Sequence, residues 1–406
     1  MDVDDAIAGR AEVTVEFDHH AAELARDPYP TYQRLREESP VAWSPAYGGF
    51  WALSDYPTVH AASRDDDAFR STPGVGIPLQ PYGIQNIPID TDSPQTQQYR
   101  ATLLRAYSPA SVTRLTPKVT AIADELLDTF ADAGRADLVR EYAMPLPARM
   151  ILGLLGLPET DWLWWVERTH TVVHDITHNP DAAIAAGMEM AEAVAHALAE
   201  RRTDGYRDDQ ISLIMQGTVD GRALTEQELI SYVLLMIFGG SDTTTGATAN
   251  ALMALDRDRA LRRRLIDRPA DLPKAVEEFL RHQAPVQALA RTLSRDVRIG
   301  DQVLRAGERA LLIWAAANRD PNVFERPDQV DIDRFPNRHL SFGVGLHRCL
   351  GSTLGRMMLR VMLERLLATI PDYQLGKDPE QYRFADASVI YSARGLPATF
   401  TPRAAS

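Results

Sequence analysis

The sequence predicts a mainly α protein with a minor β portion, and three observations predict it. Apolar residues recur at three- and four-residue spacing along most of the chain. Runs with strand character are few and short. The longest helical pattern, residues 226–256, is apolar all round at its middle, which places it inside a large core. No linker, internal repeat or low-complexity run divides the 406 residues. The chain therefore reads as an N-terminal segment, residues 1–26, followed by one domain, residues 27–406.

The elements follow in order. Asp27-Pro28-Tyr29-Pro30 opens a helix that runs to about Glu38, with proline in its first turn. Phe50-Trp51-Ala52-Leu53 reads as a short strand. Residues 111–133 put Val112, Leu115, Val119, Ile122, Leu126, Leu127 and Phe130 on one helical face. Three more helices are expected over 144–155, 159–177 and 181–202. Thr225 and Glu228 form a capping-box pattern at the start of the long helix, whose length would be about 45 Å. Its centre, Gly239-Gly240-Ser241-Asp242-Thr243-Thr244, is poor helix-forming material, so a local distortion is expected there. A helix over 272–282, strands over 289–299 and 309–313, and a strong helix over 350–370 complete the chain.

Composition excludes some functions. A formal net charge of −13 argues against nucleic acid and anionic membrane as partners. The charge is uneven: residues 93–123 hold Arg100, Arg105, Arg114 and Lys118 without a carboxylate, and residues 334–363 hold Arg334, Arg338, Arg348, Arg356 and Arg360 without one. These windows predict a basic docking surface on an acidic protein. The most apolar stretch, residues 232–240, is about half the ~18 residues that suggest a membrane span, and the acidic N-terminus lacks signal-peptide character. A cytoplasmic protein without membrane attachment is expected. The single cysteine, Cys349, cannot form an intrachain disulfide; without context it would be an inert buried residue.

Context changes that reading. Phe342-Gly343-Val344-Gly345-Leu346-His347-Arg348-Cys349-Leu350-Gly351 lies just before the last long helix. The two glycines before the cysteine permit tight turns and close backbone approach to a flat ligand. Backbone N–H groups at the helix start favour a thiolate. Gly351 leaves room against the first turn.

The segment resembles the proximal signature of the cytochrome P450 family, F-G-x-G-x-H-x-C-x-G, at every fixed position. The resemblance extends from about Asp27 to about Pro402. It implies a haem held between the long central helix and the cysteine-bearing loop, with Cys349 as the iron ligand. Phe342, Gly343, Gly351 and Gly240 would border the cofactor. Glu278-Phe279-Leu280-Arg281 matches E-x-x-R; the pair would join Arg334 in a buried, fold-stabilising network. Residues 239–244 resemble [AG]-G-x-[DE]-T-[TS], which implies that Asp242 and Thr243 deliver protons to dioxygen. Arg291, His339 and Arg100 would hold the haem propionates. Here the chain departs from the family pattern, because Thr96 stands where a histidine is usual and one propionate contact would be shortened or water-mediated.

The implied activity is that of a monooxygenase using haem b, O2 and two externally supplied electrons to oxidise a small hydrophobic substrate. With one cysteine the chain cannot hold an iron–sulfur cluster of its own, so electrons would come from a separate partner. An acidic ferredoxin with its reductase is expected, docking near Arg348 and Arg356. Family analogy puts residues 74–89, 234–239, 286–289 and 389–391 around the substrate. Pro78, Leu79, Ile84, Ile87, Val286, Leu289 and Ile390 are apolar members, and Gln85, Asn86 and Gln287 are candidate polar anchors. Oxidative coupling or rearrangement, an H2O2-driven peroxygenase, and a haem-thiolate sensor or carrier are alternatives. The Asp242–Thr243 pair weighs against the last two.

Overall fold

The computed structural model describes residues 13–79, 85–384, 386 and 389–403. Its helices of ten residues or more are α1 (Tyr29–Glu38), α2 (Gln95–Leu104), α3 (Thr116–Phe130), α4 (Pro145–Leu155), α5 (Trp162–His174), α6 (Pro180–Asp204), α7 (Glu226–Arg257), α8 (Leu272–His282) and α9 (Ser352–Thr369). The largest sheet has five strands: β1 (Val41–Ser44), β2 (Phe50–Leu53), β3 (Phe69–Arg70), β4 (Leu289–Leu293) and β5 (Arg309–Leu312), in the order β1-β2-β5-β4-β3. Only the β5–β2 pair in this sheet is parallel. The mainly α architecture with minor β is as the periodicity predicts.

Helix α7 begins at the predicted capping box: the Glu228 N–H donates to Thr225 Oγ1, and the Thr225 N–H donates to Glu228 Oε2. Along most of its length α7 is buried in the largest apolar cluster, against α4, α5, α6 and α9. The expected distortion at 239–244 is absent, because α7 is one continuous helix. The hydroxyls of Ser241, Thr243, Thr245 and Thr248 each donate to the carbonyl four residues earlier, so these poor helix formers satisfy themselves inside the helix. Gly240 has a packing reason: a Cβ there would lie 2.7 Å from Ile151 Cγ1 on α4.

Two expected elements are split. Residues 111–133 divide into Pro109–Thr113 and α3, where Pro117 opens the new helix. Residues 289–299 divide into β4 and Val297–Ile299. An 18-residue window of helix α6, with mean hydropathy 1.2, is long and apolar enough for a membrane span, which residues 232–240 are not. Its hydropathy comes largely from alanines, and it packs along α5 and α7.

Candidate functional site

One internal cavity lies between the middle of α7 and the loop that leads into α9. Gly239, Gly240, Thr243, Thr244 and Ala247 line it from α7. Phe342, Gly343, His347, Cys349 and Gly351 line it from the loop, and Leu354 and Met358 from α9.

The main chain sets the position of Cys349. Its N–H donates to Phe342 O at 2.7 Å, and the Gly343 N–H donates to Leu340 O at 2.8 Å. Gly343 and Gly345 have φ of +63° and +74°, a region glycine enters at no steric cost. At Gly345 space also demands glycine, since a Cβ would lie 2.7 Å from Ser63 O. The loop is tied to its surroundings by Asn318, whose Nδ2 donates to Ser341 Oγ and whose Oδ1 accepts from the Leu340 N–H. Cys349 is exposed, and it opens onto the cavity. Desolvation by the surrounding protein raises its pKa, against the opposing pull of the Gly351 N–H and of Arg100, Arg356 and Arg348. A bound cation would displace that proton and stabilise the thiolate.

Arg100 lines the cavity with the thiol; Arg291 is absent from that lining but acts on His347, which is part of it. Arg100 Nη2 donates to Arg348 O at 2.7 Å. Arg291 is 3% exposed and donates from Nη1 to the adjoining Ala290 O. Burial lowers its pKa to about 10. Among the described residues, no carboxylate lies within ion-pair distance of Arg100 or Arg291. The nearby Asp90 and Asp92 accept main-chain N–H groups of Val75, Asn86 and Ser71. His347 completes the group, with Nε2 3.1 Å from Ser71 Oγ. Burial, then the charges of Arg291 and Arg100, push its pKa down to about 3, so it is neutral. Two guanidiniums and a neutral imidazole without a carboxylate partner fit a ligand that brings its own carboxylates.

Two sequence expectations for this cradle change. His339 is not brought to the cavity: its Nε2 lies 3.1 Å from Glu277 Oε2, and the same carboxylate accepts from Arg356 at 2.6 and 2.9 Å. His347, two residues before the cysteine, takes the place expected of His339; its fixed position inside the motif was the available signal. Thr96 supplies no cradle contact, because it is fully buried with its Oγ1 2.8 Å from Thr91 Oγ1.

Across the cavity, Thr243 Oγ1 donates to Gly239 O at 2.8 Å. Asp242 is absent from the cavity lining; its carboxylate meets His174 on α5 instead. Nothing in the local sequence pairs these residues, since they are 68 positions apart. The upper wall is apolar: Pro147, Met150 and Ile151 of α4, Leu235 and Met236 of α7, Val286 and Leu289, and Pro88 with Ile89. Of the expected wall segments, Pro88, Ile89, Leu235, Met236, Gly239, Val286 and Leu289 line it. Pro78, Leu79, Ile87 and Ile390 do not, and Ile84 lies outside the described residues. Gln85, Asn86 and Gln287 are not on the wall either: the Asn86 amide donates to Asp90, and the Gln287 amide donates to Ala284 O.

Behind the loop, Glu278 is fully buried. It accepts from Arg281 at 2.7 and 2.8 Å, from Arg334 Nε at 3.2 Å, from Asn337 at 3.0 Å and from the Asp331 N–H at 2.8 Å. Arg281 also donates to the carbonyls of Asn318, Pro327 and Gln329.

Known proteins resemble the chain in sequence and in fold. The family model described as cytochrome P450 matches residues 272–370. A Mycobacterium tuberculosis protein called cytochrome P450 130 is 34% identical over 379 residues, covering 89% of this chain and 93% of its own. The steroid C26-monooxygenase of the same species is 33% identical over 387 residues, covering 93% and 95%. The crystal structure of CYP109E1 from Bacillus megaterium in complex with testosterone matches with a TM-score of 0.86 at 28% identity, covering 94% of this chain and 100% of that one.

Proposed function

The chain belongs to the cytochrome P450 family and is a haem-binding monooxygenase; on that premise we propose that Cys349 ligates the iron and that a hydrophobic small molecule is oxidised between Thr243 and the apolar wall. The observation that carries the reading is the shared cavity, with the thiol on one side, Thr243 on the other and apolar side chains above. Bound there, the haem supplies the one-electron iron chemistry by which O2 is reduced and one oxygen atom enters the substrate. Haem b is supported because the only cysteine is used as ligand, leaving none for a thioether attachment. Arg100, Arg291 and His347 would meet the propionates. The Glu278–Arg281–Arg334 network would brace the loop. Residues 27–406 would act as one unit.

Thr243 spends its hydroxyl hydrogen on Gly239 O, so towards the cavity it presents lone pairs. It would hold a water by accepting from it, and Asp242 would relay protons from the solvent side. Substrate chemistry is limited by the wall, whose upper part carries no charged side chain. A steroid, terpenoid or polyketide-like molecule fits such a surface. Oxidation of a steroid by one relative and testosterone in another's structure favour steroid-like compounds as first probes.

Electrons would come from an acidic ferredoxin and its reductase in the cytoplasm. Arg348 and Arg338 are exposed and, among the described residues, make no ion pair, so they are available for docking. Arg356 is engaged by Glu277 and lies over the Phe342 ring, so it would act from a fixed position. Charge reversal at Arg348 should weaken the salt dependence of reduction.

The test is the absorption spectrum of the reduced, CO-bound protein. A thiolate-type Soret band in the wild type, absent in Cys349→Ala, is the expected result. A spin-state titration against hydrophobic compounds, steroids first, then identifies the substrate class. A wild-type protein that binds haem without the thiolate-type band would overturn the assignment of Cys349.

A further inference from the structure

The carboxylate of Asp242 turns away from the cavity into a buried site against α5. Its Oδ2 lies 2.8 Å from His174 Nε2, and its Oδ1 lies 3.6 Å from His170 Nε2. The other ring nitrogen of His174, Nδ1, is 2.8 Å from the main-chain oxygen of Asp386. A carbonyl oxygen only accepts, so Nδ1 carries a hydrogen. An ionised carboxylate also only accepts, so the contact at Nε2 needs a further proton, on the imidazole or on Asp242. In either case the couple holds one proton more than a neutral histidine beside a free carboxylate.

The surroundings keep that proton in place. The Phe384 ring stacks on His174 at 3.8 Å and meets His170 edge-on at 4.7 Å. Asp386 offers its main-chain oxygen to His174, while its carboxylate contacts His20 Nδ1 at 2.8 Å and accepts from Thr177 Oγ1 at 2.9 Å. Burial opposes charge on both members, yet their hydrogen bond and mutual attraction raise the pKa of His174. Burial likewise opposes charge on Asp242, but His170 and His174 hold it well below the usual carboxylate range. Access is graded along α5: the His174 side chain is 2% exposed, and that of His170, one turn earlier, is 17% exposed. The buried Oδ1 of Asp242, which faces His170, has no hydrogen-bond partner.

We propose that His174 and Asp242 store one proton behind Thr243, and that His170 is the inlet through which solvent replaces it. This rests on the reading of Asp242 and Thr243 given above. A proton leaves the couple from Asp242 through water to the Thr243 side, leaving neutral His174 and ionised Asp242. A proton from bulk water reaches His170 and passes by Oδ1 to the couple, which regains its charge; no electron moves. His174 and His170 act through Asp242 and are positioning residues.

The experiment is NMR of 15N-histidine-labelled holoenzyme in its diamagnetic ferrous CO form. Wild type should show His174 with both nitrogens protonated well above the ordinary histidine pKa, and Asp242→Asn should remove that second proton at neutral pH. His174→Gln should lower turnover about tenfold with an unchanged substrate-induced spin shift. The partly exposed His170→Gln should fold normally and move the alkaline limb of the turnover–pH profile to lower pH. A His174 that titrates as an ordinary histidine, unaffected by Asp242→Asn, overturns the stored proton. A profile for His170→Gln that superimposes on wild type overturns the inlet. The histidine titration is read whether or not the CO band reports a thiolate, so failure of the ligand assignment is seen separately.

Discussion

Cys349 and Thr243 face one cavity from opposite sides, and the chain fixes them by different means. Around Cys349 the main chain does the positioning, through two left-handed glycines, an N–H bonded to Phe342 O, and a loop clamped by Asn318 and backed by Glu278. Around Thr243 the backbone is an unbroken helix and side chains do the positioning: hydroxyls bonded one turn back, and a carboxylate shared with histidines. Packing and backbone geometry do not depend on pH near neutrality, whereas a histidine–carboxylate contact exchanges protons with water. The thiol side is therefore a rigid mount, and on the proposal made above the α7 side is where protons are handled.

The sharpest break of that comparison comes from single truncations on each side. Cys349→Ala should abolish the thiolate-type band of the reduced CO complex completely. Thr243→Ala should leave that band at wild-type intensity and instead divert reducing equivalents to hydrogen peroxide, measured as product formed per NAD(P)H consumed with a surrogate reductase. Equal loss of the band in both variants would mean that the two sides are not separable.

The next effect tests the rigidity behind the loop. Glu278→Ala leaves Arg281, which is fully buried, and Arg334 without their carboxylate. Removing one partner from such a buried network costs about 3–5 kcal/mol, read as a shift in the denaturation midpoint. Mutation of the exposed pair Arg305–Asp296 supplies the control and should change little.

Sequence alone revealed local patterns better than contacts across the fold. The cysteine motif, the E-x-x-R pair and Thr225 with Glu228 are local patterns whose geometry follows from spacing, and the structure places Glu278 against Arg281 and Thr225 against Glu228 at bonding distance. Contacts across the fold were not legible. His174 and Asp242 meet only because α5 packs on α7, and Glu277 captures His339 only because α8 lies beside the loop before α9. The long course of α7 was expected but its unbroken centre was not, for a related reason: propensity counts serine, threonine and glycine as weak helix formers, but burial and back-bonded hydroxyls override it.

Two glycines turn the comparison into a stability measurement. Gly345→Ala forces a Cβ to 2.7 Å from Ser63 O at a φ of +74°, so a loss of about 1–3 kcal/mol is expected. Gly239→Ala, with nothing within 4 Å of its Cβ, should stay within about 0.5 kcal/mol of wild type. A Gly345→Ala protein as stable as Gly239→Ala would show that the cysteine loop yields, and that its glycines serve something other than a fixed mount.

The smallest effect concerns a second carboxylate clamp on the thiol side, Glu277. Burial works against ionisation of Glu277, yet the contacts from His339 and Arg356 outweigh it and bring its pKa down to about 2, from an ordinary value of 4.5. A carboxylate depressed in the folded state stabilises the fold above its unfolded pKa and loses that contribution as pH falls through the folded one. Glu277→Gln should therefore be slightly less stable than wild type at neutral pH, by about 1 kcal/mol or less for a partly exposed group. The gap in thermal midpoint should shrink as pH drops from about 4.5 towards 2. Near neutrality the gap should be flat, because Glu277 stays ionised in both folded and unfolded chains. A gap that instead varies between about pH 6 and 8 would mean that the thiol side is not the pH-indifferent half of the site.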